Sequence, residues 1–486
     1  MHDATLAQEW YARLTDVLAT RGLTLDAPGD AGLRVVVPWH REWGFYVREH
    51  SESDVARTVS SAAVAQPDWR AQEDRRRWAL ARLAEELSSM AEAFIHLISF
   101  ENGKLLPAAR MEVGAAVAAL RSFANRTIPV ESIRSEPSDT VEVVREPIGV
   151  IAAITPANMP LLMLINKLAP ALLVGNVVVA KPSPYTPLTA LLFEDLARRV
   201  LPEGVFSVVV GDARTGAALV AHERVGLIAL TGSRAAGAEV MKQAAARIAD
   251  VQLELGGNDA ALILPDADLD SAIPLIFASA FSSSGQACVA TKRVYAPRSL
   301  LERVETEFVA LAERCRVGSP FDPDATHPAV TNGDQYRRVE RLIADAPQEG
   351  GRVLAGGVHP SDEGWFIRPT VVSGLAAGAE LVDEEQFGPV VPIVPYDDID
   401  AVVDAINRGP YGLGSTIWSN GPQEHARSLA RQIEVGMVWI NRTPVPDPSI
   451  PFGGTKQSGI GREGGEHGID AFCEIKVIGS RGEVDA

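Results

Sequence analysis

The strongest constraint on the fold lies between Gly149 and Leu255, where short apolar runs alternate with segments of helical periodicity. The runs are Gly149–Ile154, Asn176–Ala180, Phe206–Val210, Gly226–Leu230 and Val251–Leu255; helices are expected at Met159–Leu173, Pro187–Val200, Ala213–Val220 and Arg234–Ile248. Runs that are apolar at nearly every position belong to strands buried on both faces. Such strands, spaced by helices, form a parallel sheet covered on both sides. Thr186-Pro187 marks a helix start, an N-cap followed by proline at the first helical position. The alternation resumes after Gly257, so a second α/β domain begins there. Upstream, Ser51–Lys104 reads as two helices, the longer from about Arg70 to Phe100 with an apolar stripe through Leu80, Leu83 and Leu87. Its Arg75-Arg76-Arg77 run reads as a solvated face. Residues 127–147 carry short β segments. The first fifty residues read as irregular, with an amphipathic opening at Leu6–Leu18 and a turn cluster at Ala27–Gly32.

Composition removes several functions. A chain of 486 residues suggests two or three domains, and a net charge of −18 argues against nucleic-acid or anionic-membrane partners. Three cysteines, Cys288, Cys315 and Cys473, are too few and too scattered for a disulfide framework or a zinc site. They suit a reducing, cytoplasmic setting, and the N-terminus has no signal-peptide pattern. The charge-free stretch Pro147–Asn166 approaches the length of about 20 residues that crosses a bilayer. Pro156, Asn158 and Pro160 interrupt it and Lys167 follows, which reads as a buried strand–turn–helix. Gly232–Gly237 has P-loop glycine spacing, but Ala238 and Glu239 stand where Lys and Ser/Thr are needed. No G-x-G-x-x-G opens a helix, and the nine histidines lack ligand spacing, so no metal is expected.

Three polar residues stand out. Cys288 lies in the small-residue loop Ser282-Ser283-Ser284-Gly285-Gln286-Ala287-Cys288; a lone cysteine is more often packing than chemistry. Its company shifts that balance. Glu254 ends an apolar strand, where a charge has to be paired, neutralised or used. Asn158 breaks an apolar run between two prolines at a strand-to-helix turn. Together with Lys181-Pro182-Ser183, Thr231-Gly232-Ser233, Glu385-Gln386-Phe387-Gly388-Pro389 and Pro451–Gly459, these segments resemble the aldehyde dehydrogenase family, in the family's order, over roughly residues 52–478.

That resemblance implies an α/β, aldehyde dehydrogenase-like fold: a parallel-sheet NAD(P)-binding domain (1–126 and 148–256), an α/β catalytic domain (257–456) and a small β oligomerisation element (127–147 and 457–486). It implies an enzyme oxidising an aldehyde to the carboxylic acid, with Cys288 as nucleophile through a thiohemiacetal and a thioester, Asn158 and the Cys288 N–H holding the oxyanion, and Glu254 activating the deacylating water. NAD, with NADP possible, would be held by Thr155, Lys181, Ser183, Thr231, Gly232, Ser233, Leu255, Gly256, Glu385 and Phe387. The expected partner is a small-molecule aldehyde in a homodimer or homotetramer. Pro184 falls where NAD-preferring members often carry a ribose-binding glutamate. Met159, Asn166 and Pro446 stand where enzymes of small aliphatic aldehydes often place aromatics, which predicts a wider or more polar tunnel and a bulkier or polar aldehyde. Arg442 could anchor a substrate carboxylate or bridge subunits. A coenzyme A-acylating enzyme, a thiol esterase and a catalytically silent homologue remain alternatives, though Glu254 favours hydrolysis to the acid.

Overall fold

In the computed structural model, which describes residues 32–136, 139–361 and 363–481, the chain begins with an antiparallel hairpin, β1 (Gly32–Val36) and β2 (Gly44–Arg48). The expected Leu6–Leu18 opening and most of the Ala27–Gly32 cluster lie outside the described residues. The hairpin corrects the expectation of an irregular start. Val35, Val37, Phe45 and Val47 turn inward while Arg34 and Arg48 face out, a two-residue alternation too brief to stand out in the sequence.

Four helices follow, α1 (Glu52–Arg70), α2 (Glu73–Ser89), α3 (Ala91–Asn102) and α4 (Leu106–Ala124). A Ser51–Asp54 capping box opens α1. Ser51–Lys104 therefore holds three helices rather than two. The second break falls at Met90, whose backbone leaves helical values (φ −103°, ψ 13°). Apolar spacing runs on from Leu87 to Phe94 and Ile98 across the break, so periodicity does not register it. Arg76 is also not on a solvated face. It is buried, and its guanidinium donates to Leu173 O at 2.8 Å and to Arg70 O, binding carbonyls at two helix C-termini.

After β3 (Glu131–Glu136) and β4 (Asp139–Pro147) the central alternation folds as β5 (Val150–Ile154), α5 (Pro160–Val174), β6 (Val177–Lys181), α6 (Leu188–Ala197), β7 (Phe206–Val208), α7 (Ala213–Ala221), β8 (Val225–Thr231), α8 (Arg234–Ala245) and β9 (Asp250–Glu254). The charge-free Pro147–Asn166 stretch is thereby divided between β5, a turn and the first half of α5, and no described helix is long and apolar enough to cross a membrane. Thr186 does not cap α6. Its hydroxyl is buried without a partner among the described residues, and the Glu101 carboxylate, from α3, takes the Leu188 and Thr189 N–H groups at 2.8 and 2.9 Å. Burial raises Glu101 to about 7, opposed by these hydrogen bonds from Thr189 and Leu188.

The first sheet has the order β17-β9-β8-β5-β6-β7, with β5 to β9 parallel and β17 (Gly459–Ile460) antiparallel along β9. The strand order reverses between β5 and β8, and in sheets of this kind the crevice beyond the carboxyl ends at such a point receives ligands. A second sheet takes β10 (Ala260–Ile263), β11 (Arg293–Pro297), β12 (Arg352–Val358), β13 (Ile367–Ser373), β14 (Val390–Tyr396), β15 (Gly414–Trp418) and β16 (Met437–Ile440), in the order β12-β13-β14-β11-β10-β15-β16. Its β12–β13 pair is antiparallel and the rest parallel. A third sheet joins β18 (Cys473–Ser480) to β4 and β3, all antiparallel. Gly459 and Ile460, grouped by sequence with the C-terminal element, thus belong to the first sheet.

Candidate active site

Asn158 leaves the carboxyl end of β5, and its loop is clamped from α3 and α4. Asn102 Nδ2 donates to Ala157 O at 2.8 Å and Lys104 Nζ to Asn158 O at 2.7 Å. The Glu112 carboxylate accepts from the Leu161 and Leu162 N–H groups (2.9 and 3.2 Å) and pairs with Lys104 at 2.5 Å. Met159 supplies no side-chain cap, so Glu112 does for α5 what an N-cap residue would do. The Asn158 amide donates one hydrogen to Gln286 O at 2.9 Å, leaving its second for another acceptor.

Cys288 is presented by a strained turn. The helix Leu269–Phe281 ends in the turn Ser282–Gly285, where Ser283 and Ser284 hold left-handed backbones (φ 49° and 56°). For non-glycine residues this costs about 1–2 kcal/mol each. Ser284 Oγ holds the turn by donating to Pro328 O at 2.6 Å. Gly285 (φ 69°) admits no side chain, because a Cβ would fall 2.4 Å from Gly388 O. Beyond the cysteine, buried Lys292 donates to Ala287 O at 2.5 Å and lies 3.4 Å from the carbonyls of Cys288 and Ala290. Burial pushes the Cys288 thiol up to about 12; Lys292 opposes this, while Asp259, Glu385 and Glu254 add to it. At neutral pH the thiol is therefore protonated. Its backbone N–H has no acceptor among the described residues.

Glu254, the last residue of β9, is buried with neither carboxylate oxygen hydrogen-bonded among the described residues. Burial raises its pKa well above the usual carboxylate range, the neighbouring Glu463 adds to this, and Lys167 and Arg462 oppose it. Lys167 Nζ joins Glu463 Oε1 at 2.5 Å and Thr231 Oγ1 at 2.6 Å, an ion pair buried beside the glutamate. The Ser458 hydroxyl and carbonyl tie the Pro451–Gly459 segment in place: Ser458 Oγ donates to Gly256 O at 2.7 Å, and Leu255 N–H donates to Ser458 O at 2.8 Å. A Cβ at Gly453 would stand 2.6 Å from Glu254 Oε1. The segment therefore packs directly against the carboxylate.

One cavity of about 530 Å³ brings Asn158, Glu254 and Cys288 together. Thr231, Gly232, Ser233, Leu255 and Gly256 line it, as do Glu385 and Phe387 and, from the tunnel set, Met159, Asn166 and Pro446. Thr155, Lys181 and Ser183 do not line it; they lie at the carboxyl ends of β5 and β6. Arg442 is a correction: it is exposed, absent from the lining, and its guanidinium sits 4.9 Å over the Trp439 ring. The tunnel also keeps rings, Phe123, Trp439 and Phe452, supplied from other positions.

The residues fit a dinucleotide. Ser233 Oγ caps α8 by accepting from Ala236 N–H at 3.2 Å, leaving the first amides of the helix toward the cavity for an anion. Lys181 is buried, reaches only Pro182 O (3.2 Å) as a hydrogen-bond partner among the described residues, and burial lowers it to about 8 against the pull of Asp212 and Glu49. Thr155 Oγ1 is buried without a hydrogen-bond partner among the described residues. At the far end, Glu385 lies close over Gly256, where a Cβ would fall 1.9 Å from its carboxylate, and accepts from Gly257 N–H at 3.2 Å.

Residues 26–478 match the model of the aldehyde dehydrogenase family. The chain belongs to that family. The match begins well before residue 52, where the sequence motifs placed it, and so takes in the hairpin. Among relatives of this aldehyde dehydrogenase, 2-hydroxymuconic semialdehyde dehydrogenase of Pseudomonas sp. (strain CF600) is 35% identical over 88% of this chain and 91% of its own. The 2-aminomuconic semialdehyde dehydrogenase of Mus musculus is 34% identical over 89% of this chain and 91% of its own. The NAD+ complex of an aldehyde dehydrogenase from Bacillus cereus superposes with a TM-score of 0.90, at 32% identity over 93% of each chain. The enzyme is an NAD(P)-dependent oxidoreductase that converts aldehydes to carboxylic acids.

The sequence motifs passed over Lys104, Glu112, Lys167, Lys292 and Glu463 in this aldehyde dehydrogenase. The available signal was the one that exposed Glu254, a charge in an apolar setting, and Lys167 carries it inside the buried face of α5.

Proposed function

We propose that Cys288 is the nucleophile, Asn158 the oxyanion donor and Glu254 the base. The observation that carries this is a buried carboxylate, Glu254, with no hydrogen-bond partner among the described residues, lining the same cavity as a protonated thiol. Cys288 Sγ forms a bond to the aldehyde carbon as its proton passes to Glu254. The carbonyl π electrons move to oxygen, where the free Asn158 N–H and the Cys288 amide meet the charge. NAD(P)+, when bound, supplies the hydride acceptor that turns the thiohemiacetal into a thioester. Glu254, having passed that proton to solvent, then takes one from water as the hydroxide adds to the acyl carbon; the C–S bond breaks and Glu254 returns its proton to the departing thiolate, which restores the thiol. A carboxylate whose pKa is raised is a better base for this than an ordinary one. Glu254 also supports release of the free acid over transfer to coenzyme A. Asn158→Ala is expected to lower turnover about 10²–10³-fold with little change in NAD+ affinity. Unchanged turnover in stopped-flow NADH assays would remove Asn158 from the oxyanion site.

For the cofactor we propose Lys181, Thr155 and Ser183 at the adenosine end, Thr231 to Ser233 at the pyrophosphate, and Leu255, Gly256, Glu385 and Phe387 around the nicotinamide half. Pro184 leaves the ribose preference open, but Glu49 and Asp212 lie near enough to Lys181 to act on its charge, and they would repel a 2′-phosphate. The ratio of kcat/KM for NAD+ over NADP+ is expected to exceed about 10; a ratio below one in parallel assays would overturn this preference.

The sheet arrangement supports a cofactor domain around the first sheet, a catalytic domain around the second, and an oligomerisation element in the third. On that third sheet Ile475, Val477 and Ile478 of the edge strand β18 are exposed, as are Ile133 on the opposite edge strand β3 and Val130 just before it. An exposed apolar edge is a surface for pairing, which supports a homodimer or homotetramer; a monomeric mass by light scattering would contradict it. Three unpaired cysteines support a cytoplasmic setting, which fractionation of native cells would test.

A further inference from the structure

The lining of the cavity divides by chemistry. Besides the cofactor residues, one group comes from α4, from α5 and from the segment that follows β16. On α4 the lining positions are Ala115, Ala118 and Ala119, a spacing of three and four that marks one helical face. The same spacing on α5 presents Met159, Leu162 and Met163, with Asn166 one turn further along. Three alanines opposite three long flexible side chains leave space that larger residues on α4 would fill, and methionines adapt to the shape of what enters. The aromatic rings of Phe123, Trp439 and Phe452 close this end.

Its charge is one-sided. Among the described residues lining this end, the ionisable side chains are Asp447 and Glu463, beside Glu254 itself. Asp447 is held below the usual carboxylate range by the Ser449 hydroxyl and amide, at 2.6 and 2.8 Å. Glu463 is committed to Lys167 at 2.5 Å. The two nearby arginines serve elsewhere: Arg442 stacks on Trp439 from the exposed side, and Arg126 donates to Gly465 O and to Pro448 O at 2.7 Å. An anionic tail entering here would lose its water, find the one neighbouring ammonium, Lys167, already paired with Glu463, and meet no cation on the lining of this end among the described residues.

Resting on the catalytic assignment above, we infer that the enzyme takes bulky, uncharged aldehydes, aryl or branched, and rejects aldehydes carrying a second acid group. The expectation from sequence, bulkier or polar, is thereby narrowed to bulkier and apolar, with the carboxylate-anchoring arginine removed.

A matched panel separates size from charge. 4-Methylbenzaldehyde and 4-carboxybenzaldehyde have nearly the same shape, and kcat/KM with NAD+ is expected to favour the methyl compound by about 10²-fold or more. Acetaldehyde is expected to fall at least about tenfold below 4-methylbenzaldehyde. Ala118 is exposed to the cavity and outside the packed core, so its variants are expected to fold. Ala118→Arg should shift the carboxy-to-methyl ratio at least tenfold toward the acid by supplying the missing cation. Preference of the unaltered enzyme for 4-carboxybenzaldehyde or succinic semialdehyde would overturn the charge argument, and preference for acetaldehyde would overturn the size argument; both would leave the catalytic assignment standing. No NADH from any of the panel would overturn the catalytic assignment and the substrate class with it.

Discussion

Cys288→Ala is expected to lower aldehyde oxidation by about 10⁴-fold or more, because the covalent route begins with its sulfur and no other described thiol can replace it. Cys315 and Cys473 do not line the cavity. Each donates to a carbonyl four residues earlier, Leu311 O at 3.2 Å and Ile469 O at 3.1 Å. Burial holds the first near 11 and the second near 12. The cofactor residues lie on other elements, so NAD+ affinity by fluorescence quenching should change less than about twofold. Full activity in the alanine variant would mean that the nucleophile is another group. Loss of NAD+ binding together with activity would instead point to collapse of the Ser282–Gly285 turn, and would remove the variant's support for nucleophilic catalysis.

Glu254→Gln is expected to separate the two halves of the reaction. Glutamine keeps the shape but cannot accept a proton, so water is no longer activated. Steady-state turnover should fall by about 10²–10⁴-fold. One equivalent of NADH per site should still form, more slowly than in the unaltered enzyme, because the thiol has lost its internal proton acceptor. The pH dependence follows from the signs of the shifts. A raised Glu254 pKa means that the base form is lost as pH falls through a value well above the ordinary 4.5, so turnover should rise with pH across this limb. A thiol near 12 adds further increase toward alkaline pH. In the glutamine variant the acid limb should vanish while the alkaline rise in the burst remains. A burst as fast as in the unaltered enzyme would restrict Glu254 to deacylation, and unchanged steady-state turnover would remove it as the base.

The parallel sheet was legible because apolar runs with a fixed alternation leave few other folds, and the elements fall within a few residues of their expected bounds. Glu254 stood out as a charge in an apolar strand, whereas Cys288 and Asn158, the other two residues we propose as catalytic, stood out only through the company of the family's motifs. What the sequence hid was action through a neighbour. Glu101 caps α6 from α3, and Glu112 caps α5 from α4 while Lys104 grips the carbonyl of Asn158. None of these pairings has a local signature, since the partners meet only after the helices pack. Thr186-Pro187 had the local signature of a cap, and tertiary packing overruled it. Arg76 looked like its exposed neighbours because one-dimensional charge runs do not say which side of the helix faces the sheet. The alanines of α4 were the most obscure: small residues that line a cavity and small residues that allow close packing spell the same pattern.

The most direct test of the central claim is peptide mass spectrometry of Glu254→Gln after rapid mixing with NAD+ and 4-methylbenzaldehyde and an acid quench. One 4-methylbenzoyl group per chain is expected, carried as a thioester on the peptide containing Cys288 and released by hydroxylamine. An adduct on Cys315 or Cys473, or NADH formed in the burst with no acyl group on any cysteine, would contradict this.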